Sequence, residues 1–483
     1  MRIRLAWAIS CITSVLSSMA CRDLSGPQPA PALSGIVVTV NPENGLSATV
    51  QFLADHLDSA RATWDDGEGD RGVTRCGAVP GKTVHRLVVA GLRASHSYSV
   101  VVEGWGAGQI VRSAPASLTT GELPAAIRSL RLRSDGAAST GLTLVAPLLP
   151  DVSATATGYL VAFDSTGQIR WYRGLPGRFP IEAKQQRNGH ITVYAGRSFG
   201  WQEVQGEFLE LTASGAVVRS YSIESPDYTD PHELLLTFDD TAVVAVHMLG
   251  YLIRHYDLSS LGGSPTAPLA VHVLERRAVD GGLRFRWSAA DLFTPSDWPN
   301  PTAQAVDLDH PSSLAIDGAG NYVVSFQAMN EVTAIDATSG HVLWRLGGKH
   351  NEFTFRSDSY LGFAGQHDVQ VLPNGHLLLL DDELRSQPGP ARAVEYALDV
   401  SGRVATLVWE YRPLPAVVSP IMGSVQRLAS GATLIGFGAA GRVTEVAPNG
   451  TVTWTATLAS DEGTPVSFYR AVRLRSLYGY ETP

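Results

Sequence analysis

The fold is decided by a β-hairpin in residues 365–383, which read Gly365-Gln-His-Asp-Val-Gln-Val-Leu-Pro-Asn-Gly-His-Leu-Leu-Leu-Leu-Asp-Asp-Glu383. Asp368 to Leu372 alternates as a strand does, Pro373-Asn374-Gly375 is a turn sequence, and Leu377 to Leu380 supplies the returning strand. His367 stands one residue before the first of these strands. In a closed all-β fold, the ends of strands form the rim on which binding and catalytic residues commonly lie.

Two further histidines take the same place in two other stretches. His232 lies in Asp230-Pro-His-Glu-Leu-Leu-Leu-Thr-Phe-Asp-Asp240, and His310 lies in Asp307-Leu-Asp-His-Pro-Ser-Ser-Leu-Ala-Ile-Asp-Gly318. A hydrogen-bonded histidine at a strand end is the ordinary explanation for any one of these residues. Three of them at equivalent positions of successive repeats would converge on one central mouth. The pattern therefore predicts a single site that His232, His310 and His367 share.

The repeat itself predicts the architecture. From Leu142 onward the chain is a series of hairpins with a glycine turn in each, and two hairpins make a four-stranded blade. A spacing of about 40–50 residues is the period of a β-propeller. Counting predicts an all-β fold, a six-bladed β-propeller over residues 142–478, with blades that start near residues 142, 180, 232, 310, 367 and 424. We expect a long insertion in the third blade, roughly Leu258 to Ala305, and a strand within Val466 to Leu477 that closes the ring.

A smaller unit is expected before the propeller. Residues 34–121 have strand-like alternation of their own and predict a small β-sandwich. Leu92 and then Tyr98 before a run of valines resembles the tyrosine corner of a fibronectin type III module, in which the hydroxyl ties a corner back to the backbone. Residues 21–33 are rich in proline and predict a stiff tether. We expect the sandwich to act as a spacer.

The histidine stretches resemble the bacterial arylsulfotransferase family, which takes its sulfuryl group from a sulfate ester and needs no nucleotide donor. The resemblance covers roughly Leu142 to Tyr478. Its markers are Trp-Arg-Leu-Gly-Gly-Lys (344–349), Gln-His-Asp (366–368), Arg-Ala-Val-Glu-Tyr (392–396) and Tyr-Arg-Ala (469–471). It implies a six-bladed propeller enzyme, without a cofactor, that moves a sulfuryl group from a phenolic sulfate ester to a phenolic acceptor.

The resemblance also implies roles for the three histidines. His367 would be the nucleophile of a ping-pong transfer, with His232 and His310 as a clamp on the transferring group. Neutral imidazole is nucleophilic near pH 7, because its unperturbed pKa is about 6.5. The transferring group spreads negative charge over its oxygens, so positioned donors do most of the work. One of the clamp histidines is expected to protonate the leaving phenolate.

The chain departs from the family pattern where the substrate would be held. Leu308 and Ser312 stand where the family has Trp and Asn, and Gln327 stands where enterobacterial-type enzymes carry an arginine that binds sulfate. A neutral glutamine cannot supply that charge. The charge is expected from one of Lys349, Arg356 or Arg392. The predicted substrate-binding residues are therefore Gln327, Ser312, Arg392 and Lys349.

Composition limits the classes of partner. A chain of 483 residues is too long for one ordinary core, and 17% charged residues with 47 glycines is typical of a turn-rich β protein. The net charge is −9 without a basic run, which argues against nucleic acid. The histidines lack metal-ligand spacing, and no cysteine pattern indicates a metal site. The expected partners are an aryl sulfate donor and a phenolic acceptor, and a homodimer is left open.

The N-terminus predicts export. Residues 1–20 have a basic start, an apolar stretch from Leu5 to Leu16 and small residues up to Ala20, as a secretory signal does. Cys21 directly after Ala20 suggests a bacterial lipoprotein signal with Cys21 as the lipid carrier. Simple cleavage after Ala20 is the alternative, and an unlipidated Cys21 could then pair with Cys76. We expect a periplasmic protein or a lipoprotein of the outer membrane or cell surface that meets a membrane only through this anchor.

A different class of function stays open beside the transferase. A non-catalytic propeller at the cell surface could bind an anion or a sugar in the same mouth. A propeller with a quinone cofactor is a weaker third hypothesis, because the sequence carries no signature for it. The hypotheses differ in whether the three histidine rings converge within hydrogen-bond reach of one anion.

The signal hypothesis is testable on the mature N-terminus. We expect residues 1–20 to be absent from protein made in a native host, because the segment has the order of regions that a signal peptidase reads. Mass spectrometry of the N-terminal peptide measures this, and a diacylglycerol adduct on Cys21 would select the lipoprotein form. An intact Met1 would contradict export by this route.

Overall fold

The computed structural model describes residues 29–74, 76–79, 81, 83–149, 156–197, 205–298, 306–307, 309–385 and 389–477. The expected signal peptide, most of the tether, Cys21 and Leu308 lie outside these residues. Cys76 is an exposed free thiol. None of the helices in the described ranges is long and apolar enough to cross a membrane.

The first part of the described chain consists of two small sheets. The strands are β1 (Ala32–Asn41), β2 (Asn44–Asp55), β3 (Ser59–Asp65), β4 (Arg71–Val73), β5 (Gly77–Ala78), β6 (Val84–Ala90), β7 (Ser97–Gly106), β8 (Gln109–Arg112) and β9 (Ala116–Thr119). One sheet has the order β1-β2-β6, and the other is built on β4-β3-β7-β8 with β5 and β9 at its sides. One apolar core lies between them, including Phe52, Trp64 and Val100.

Tyr98 makes the backbone bond that the corner prediction requires. The backbone N–H of Arg93 donates to its hydroxyl at 2.9 Å, and that hydroxyl donates to Asp70 at 2.5 Å. Asp70 in turn pairs with Arg170 of the following part of the chain at 2.5 Å. The same corner therefore links the two-sheet unit to the rest of the molecule, and the fibronectin type III relationship itself stays a prediction.

The remainder of the described chain is almost entirely antiparallel strands in six sheets. A short helix, α1 (Ala125–Arg128), precedes β10 (Arg131–Gly136). The strands that follow are β11 (Thr143–Pro147), β12 (Thr157–Phe163), β13 (Ile169–Pro176), β14 (Phe179–Gln185), β15 (Ile191–Gly196), β16 (Gly206–Leu211), β17 (Val217–Tyr221), β18 (Tyr228–Asp239), β19 (Ala242–Tyr256), β20 (Ala267–Ala278), β21 (Leu283–Ser288) and β22 (Val306–Asp307).

The second half continues the same pattern. Its strands are β23 (Pro311–Ile316), β24 (Tyr322–Phe326), β25 (Glu331–Ile335), β26 (Val342–Gly347), β27 (Thr354–Arg356), β28 (His367–Val371), β29 (Leu377–Asp381), β30 (Arg392–Asp399), β31 (Val404–Tyr411), β32 (Ser424–Arg427), β33 (Thr433–Phe437), β34 (Arg442–Val446), β35 (Val452–Ala459) and β36 (Phe468–Arg473). The sheets have the orders β13-β12-β11-β36, β14 to β17, β18 to β21, β23 to β26, β27-β31-β30-β29-β28 and β10-β35-β34-β33-β32.

The sheets form a closed ring. The innermost strands β14, β18, β23, β28, β32 and β36 each contact the next one, and β36 contacts β14. Closure is made by β36, near the end of the chain, which pairs antiparallel with β11 of the first sheet. The strand predicted within residues 466–477 is therefore present, and the predicted all-β propeller class is confirmed.

The leucine run of the central hairpin shows why the sheets pack this way. β29 is buried along its whole length. Leu377 and Leu379 pack into the apolar cluster shared with the fourth sheet, while Leu378 and Leu380 pack into the cluster shared with the sixth. Successive residues of a strand point to opposite faces, so a strand covered on both faces needs apolar residues at every position.

The expected insertion of the third blade is wrong over most of its length. Residues 258–305 include β20 and β21, which are the third and fourth strands of the third sheet. The described residues between and after these strands form short loops, with 3₁₀ turns at Ser259–Leu261, Ala289–Asp291 and Pro295–Asp297. Strands β19 and β20 are long, so the turns of this sheet are further apart in sequence than those of the other sheets. The segment therefore departs from the spacing of the repeat.

A buried ion cluster holds the fifth sheet together. Arg392 at the start of β30 is 1% exposed and contacts three carboxylates, Asp358 at 2.9 Å, Asp381 at 2.8 Å and Glu410 at 3.1 Å. Its guanidinium also donates to the carbonyl oxygen of Gly362 at 2.6 Å. Burial alone would raise the pKa of Asp358, but hydrogen bonds from Arg392 and from the Tyr396 hydroxyl lower it to about 2.

Arg392→Met is expected to lower the free energy of unfolding by about 3–5 kcal/mol, because it leaves buried carboxylates without their partner. Denaturant unfolding followed by fluorescence measures the change. Arg131→Gln serves as the control, since Arg131 pairs with Asp461 at 3.2 Å with both side chains about half exposed or more, and such pairs contribute under about 1 kcal/mol. Equal effects of the two substitutions would contradict a structural role for Arg392.

Candidate active site

The three predicted histidines lie where the innermost strands lose regular pairing. The register of β28 with β29 shifts directly after His367, that of β18 with β19 shifts across His232, and that of β23 with β24 shifts just after His310. His310 and Asp368 have positive φ angles of 40° and 51°. Such bulges turn side chains away from the pleat and are frequent beside active sites.

All three histidines line one cavity of about 560 Å³. The rings of His232 and His310 are 4.7 Å apart between centroids and lie edge to face. The ring of Tyr469 lies 5.4 Å from that of His232 and 6.4 Å from that of His367. The predicted convergence is therefore present. The other lining residues are Leu148, Phe179, Ile181, Asp230, Pro231, Tyr251, Ala270, His272, Asp307, Gln327, Ala328, Ile421 and Met422.

His367 is held as a neutral imidazole. Its ring is 4% exposed, with Nδ1 3.1 Å from the carbonyl oxygen of Gly365 and 2.7 Å from Oδ2 of Asp382. Burial, and then the neighbouring His310, lower the pKa of His367 to about 3. Burial and the adjacent Asp381 raise the pKa of Asp382 well above its usual value, so this pair is uncharged. Because the protein occupies Nδ1, Nε2 is the nitrogen left to react.

The two other histidines are each oriented by a carboxylate. Nδ1 of His232 lies 2.8 Å from Asp230, and Nδ1 of His310 contacts Asp307. Each carboxylate also accepts the backbone N–H of its histidine. A carboxylate on Nδ1 fixes the tautomer and orientation of an imidazole ring.

The pKa values of these two histidines are pushed apart. Burial lowers the pKa of His232 more than Asp230 raises it, so the net direction is down. Burial also lowers that of His310, but Asp307 outweighs it and the net direction is up. The neutral form is therefore favoured at His232 and the protonated form at His310. Divergent pKa values in one cavity are typical of paired base and acid.

A fourth histidine also lines the cavity. His272 on β20 is 3% exposed, with Nδ1 2.6 Å from Asp309 and Nε2 3.3 Å from Asp230. Burial lowers its pKa, but Asp309, Asp307 and Asp230 together raise it well above the usual value. His272 is therefore an imidazolium among three carboxylates.

Of the predicted substrate-binding residues, the structure brings only Gln327 to the cavity. Ser312 is fully buried behind the wall, where its hydroxyl donates to the Gln366 carbonyl oxygen at 2.9 Å. Lys349 pairs with Asp297 at 3.0 Å and lines a separate cavity of about 210 Å³. Arg392 belongs to the ion cluster of the fifth sheet. Neither cation lines the cavity that the histidines share, because both are held by carboxylates elsewhere.

Sequence reasoning missed the residues that tune the histidines. Asp230 and Asp307 stood two and three residues before His232 and His310, and that spacing was a usable signal. Tyr469 lay in a quoted motif without an assigned role. Its hydroxyl donates to the Ser312 carbonyl oxygen at 2.6 Å, which fixes its ring as a wall of the cavity. No sequence pattern marks His272 as a site residue, because its strand lies within the segment predicted to be an insertion.

Two groups in the described part of the chain place three metal-binding side chains within 4.8 Å of one another: Asp66, Glu68 and His96, and His272, Asp307 and Asp309. Asp66 and Glu68 belong to a loop of the two-sheet unit, away from the cavity. In the second group, the hydrogen bonds of a protonated His272 account for the contacts. We therefore treat both groups as polar clusters.

The comparisons with known proteins identify one family. Residues 207–459 match the family model described as arylsulfotransferase (ASST), which is just over half of the 483 residues. This span includes His232, His310 and His367. A search of the curated proteins finds no similar sequence.

Several solved structures are similar at low identity. A protein of unknown function from Bacteroides caccae is 12% identical, with a TM-score of 0.42 over 70% of this chain and 100% of that chain. A catalytically inactive virginiamycin B lyase from Staphylococcus aureus, with quinupristin, is 10% identical, with a TM-score of 0.34 over 68% and 99%. A chain of a nidogen/laminin complex is 9% identical, with a TM-score of 0.36 over 69% and 97%.

The family match spans the strands that carry all three histidines, and the histidines converge on one cavity of the propeller. The chain belongs to the arylsulfotransferase (ASST) family.

Proposed function

We propose that this protein transfers a sulfuryl group from a phenolic sulfate ester to a phenol by a ping-pong mechanism, through a sulfohistidine at His367. The observation that carries the proposal is the sharing of one cavity by His367, His232 and His310, with the last two each oriented by a carboxylate. Burial lowers the pKa of His367 and of His232, whereas Asp307 raises that of His310. Together they provide a nucleophile, a base and an acid. The family match supports the class of reaction.

In the first half-reaction, Nε2 of His367 attacks the sulfur of the donor ester. The bond from sulfur to the phenolic oxygen breaks, and the electron pair leaves with the phenolate. His310 gives its proton to that phenolate and becomes neutral, while Asp307 keeps its ring in place. Because the pKa of His367 is about 3, its lone pair is available across the neutral range.

In the second half-reaction, an acceptor phenol replaces the product. Neutral His310 takes the phenolic proton, which restores its charge, and the phenolate oxygen attacks the sulfur on His367. The nitrogen–sulfur bond breaks, and the imidazole returns to its starting form. His232 stands beside His310 at 4.7 Å between ring centroids and is an acceptor for a hydroxyl or a proton from the second substrate.

The charge of the cavity favours a sulfate ester over a phosphate ester. No lysine or arginine is among the described residues that line it, so its positive charge comes from His310 and His272, and both ring nitrogens of His272 face carboxylates. An aryl sulfate carries a single negative charge, whereas a phosphate monoester carries about −1.5 to −2 at pH 7. One imidazolium with the neutral amide of Gln327 matches the weaker anion, and Asp230 and Asp307 would repel the stronger one.

The rest of the cavity wall fits an aromatic group. Phe179, Ile181, Tyr251, Ile421 and Met422 give an apolar surface, and the volume of about 560 Å³ is in the range of small-molecule sites. The pKa of Tyr469 is raised well above its usual value, chiefly by burial, so its phenol stays uncharged against a bound ring. The alternative function, a protein that binds an anion or a sugar, would use the same cavity to hold its ligand without turnover.

His367→Asn is expected to abolish transfer and to change the free energy of unfolding by no more than a few kcal/mol, because it removes the nucleophile but keeps a polar side chain. The measurement is intact mass after brief exposure to 4-nitrophenyl sulfate. Wild type should gain one sulfuryl group, and the variant none.

The matched control is His376→Asn, at the opposite end of the same hairpin, where Nδ1 contacts Glu395 at 2.7 Å. It should be modified as wild type is. A sulfuryl group on a residue other than His367, or turnover by His367→Asn, would contradict the mechanism. Tight binding of the ester by a wild type that never becomes modified would favour the non-catalytic binding protein.

Gln327→Arg is expected to lower KM for the aryl sulfate about fivefold, because a charge-assisted hydrogen bond is stronger than a neutral one by about 1 kcal/mol. Steady-state kinetics with 4-nitrophenyl sulfate measures it. Gln327→Met, which removes the donor without adding charge, should raise KM. An unchanged KM in both folded variants would show that this side chain does not reach the sulfuryl group.

A further inference from the structure

We propose that His272 is a positioning residue that couples the two clamp histidines, His232 and His310, by bridging the carboxylates that orient them. The proposal rests on the transferase function proposed above. It assigns a task to a buried side chain of the cavity wall that the mechanism itself does not use.

Each of the two carboxylates contacts a clamp histidine through one oxygen and His272 through the other. Oδ1 of Asp230 faces Nδ1 of His232 at 2.8 Å, and its Oδ2 faces Nε2 of His272 at 3.3 Å. Oδ2 of Asp307 faces Nδ1 of His310, and its Oδ1 lies 3.5 Å from Nδ1 of His272. One imidazole therefore touches both of the carboxylates that hold the clamp.

Asp309 completes the arrangement. Its Oδ1 is 2.6 Å from Nδ1 of His272, while its Oδ2 is buried without a hydrogen-bond partner. The groups that face His272 come from several elements: Asp230 from β18, Asp307 from β22, Asp309 and His310 from the segment before β23, and the Tyr251 ring of β19 at 5.7 Å. A doubly protonated ring offers one N–H to Asp230 and one to Asp309, so the imidazolium satisfies both contacts.

The charge of His272 limits how far the carboxylates act on the clamp. An unbalanced carboxylate favours the protonated form of a nearby histidine and raises its pKa. With His272 in place, Asp230 shares its charge between two rings, and His232 stays neutral. Without that cation, the pKa values of His232 and His310 would both rise, and a smaller fraction of His232 would be neutral and able to accept a proton.

The test is His272→Asn, which keeps a polar donor but removes the cation. We expect the pKa of the acidic limb of the pH profile of kcat/KM to rise by about one unit. The rate at pH 7 should fall by up to about threefold, because the pKa of His232 starts below its usual value. NMR titration of the His232 and His310 ring protons should show both pKa values raised. That readout needs no turnover. If the titration shifts while wild type shows no transfer, the transferase function is wrong and the coupling stands.

The matched control is His247→Asn on β19 of the same sheet. His247 is 5% exposed, its Nδ1 contacts the Tyr322 hydroxyl at 3.0 Å, and it does not line the cavity. It should lower stability and leave the pH profile unchanged. A His272→Asn variant that only loses stability or rate, with both titrations unmoved, would overturn the proposal. The proposal would also be overturned if wild type held one equivalent of tightly bound metal that this variant loses. A metal ion would then stand in place of the proton on the His272 ring.

Discussion

A single buried arginine on the closing strand joins the fold to the site. Arg470 is 5% exposed and lies 2.8 Å from Asp368 of the fifth sheet, 3.0 Å from Glu233 of the third and 3.6 Å from Glu182 of the second. Asp368 directly follows His367, and Glu233 directly follows His232. The contacts that close the ring therefore also fix the backbone on which two of the cavity histidines lie. Breaking a buried pair of this kind is strongly destabilising, so closure and site geometry are not separable.

The site works by giving chemically identical side chains different charges. Four imidazoles lie in or behind one cavity, and burial lowers the pKa of every one of them. What separates them is how far the carboxylates around each ring offset the effect of burial. His367 faces an uncharged Asp382 and stays neutral. Asp307 raises the pKa of His310, and three acids raise that of His272. Different surroundings that shift the pKa values of two like groups apart allow one to act as an acid and the other as a base.

The sequence predicted the features that recur in each repeat, but it did not predict where the ends of long side chains lie. Glycine turns and the leucine run of residues 377–380 predicted the propeller, since strands buried on both faces need apolar residues throughout. The three histidines shared a position in the repeat and did converge. Lys349 and Arg392 have the charge that a sulfate needs, but the positions of long side chains are set by distant carboxylates that spacing cannot reveal. His272 reaches the site from the third strand of a sheet, at no recurring distance from the other histidines.

The central claim is that the three histidines grip one sulfuryl group, and a crystal structure of His367→Asn with bound 4-nitrophenyl sulfate tests it most directly, because that variant cannot turn the ester over. The account predicts the sulfur beside the substituted position, sulfate oxygens within hydrogen-bond distance of the rings of His232 and His310, and the aryl ring against the apolar wall near Tyr469. A sulfate group bound instead at Lys349, or an ester in the cavity with its sulfate directed away from both histidines, would contradict it.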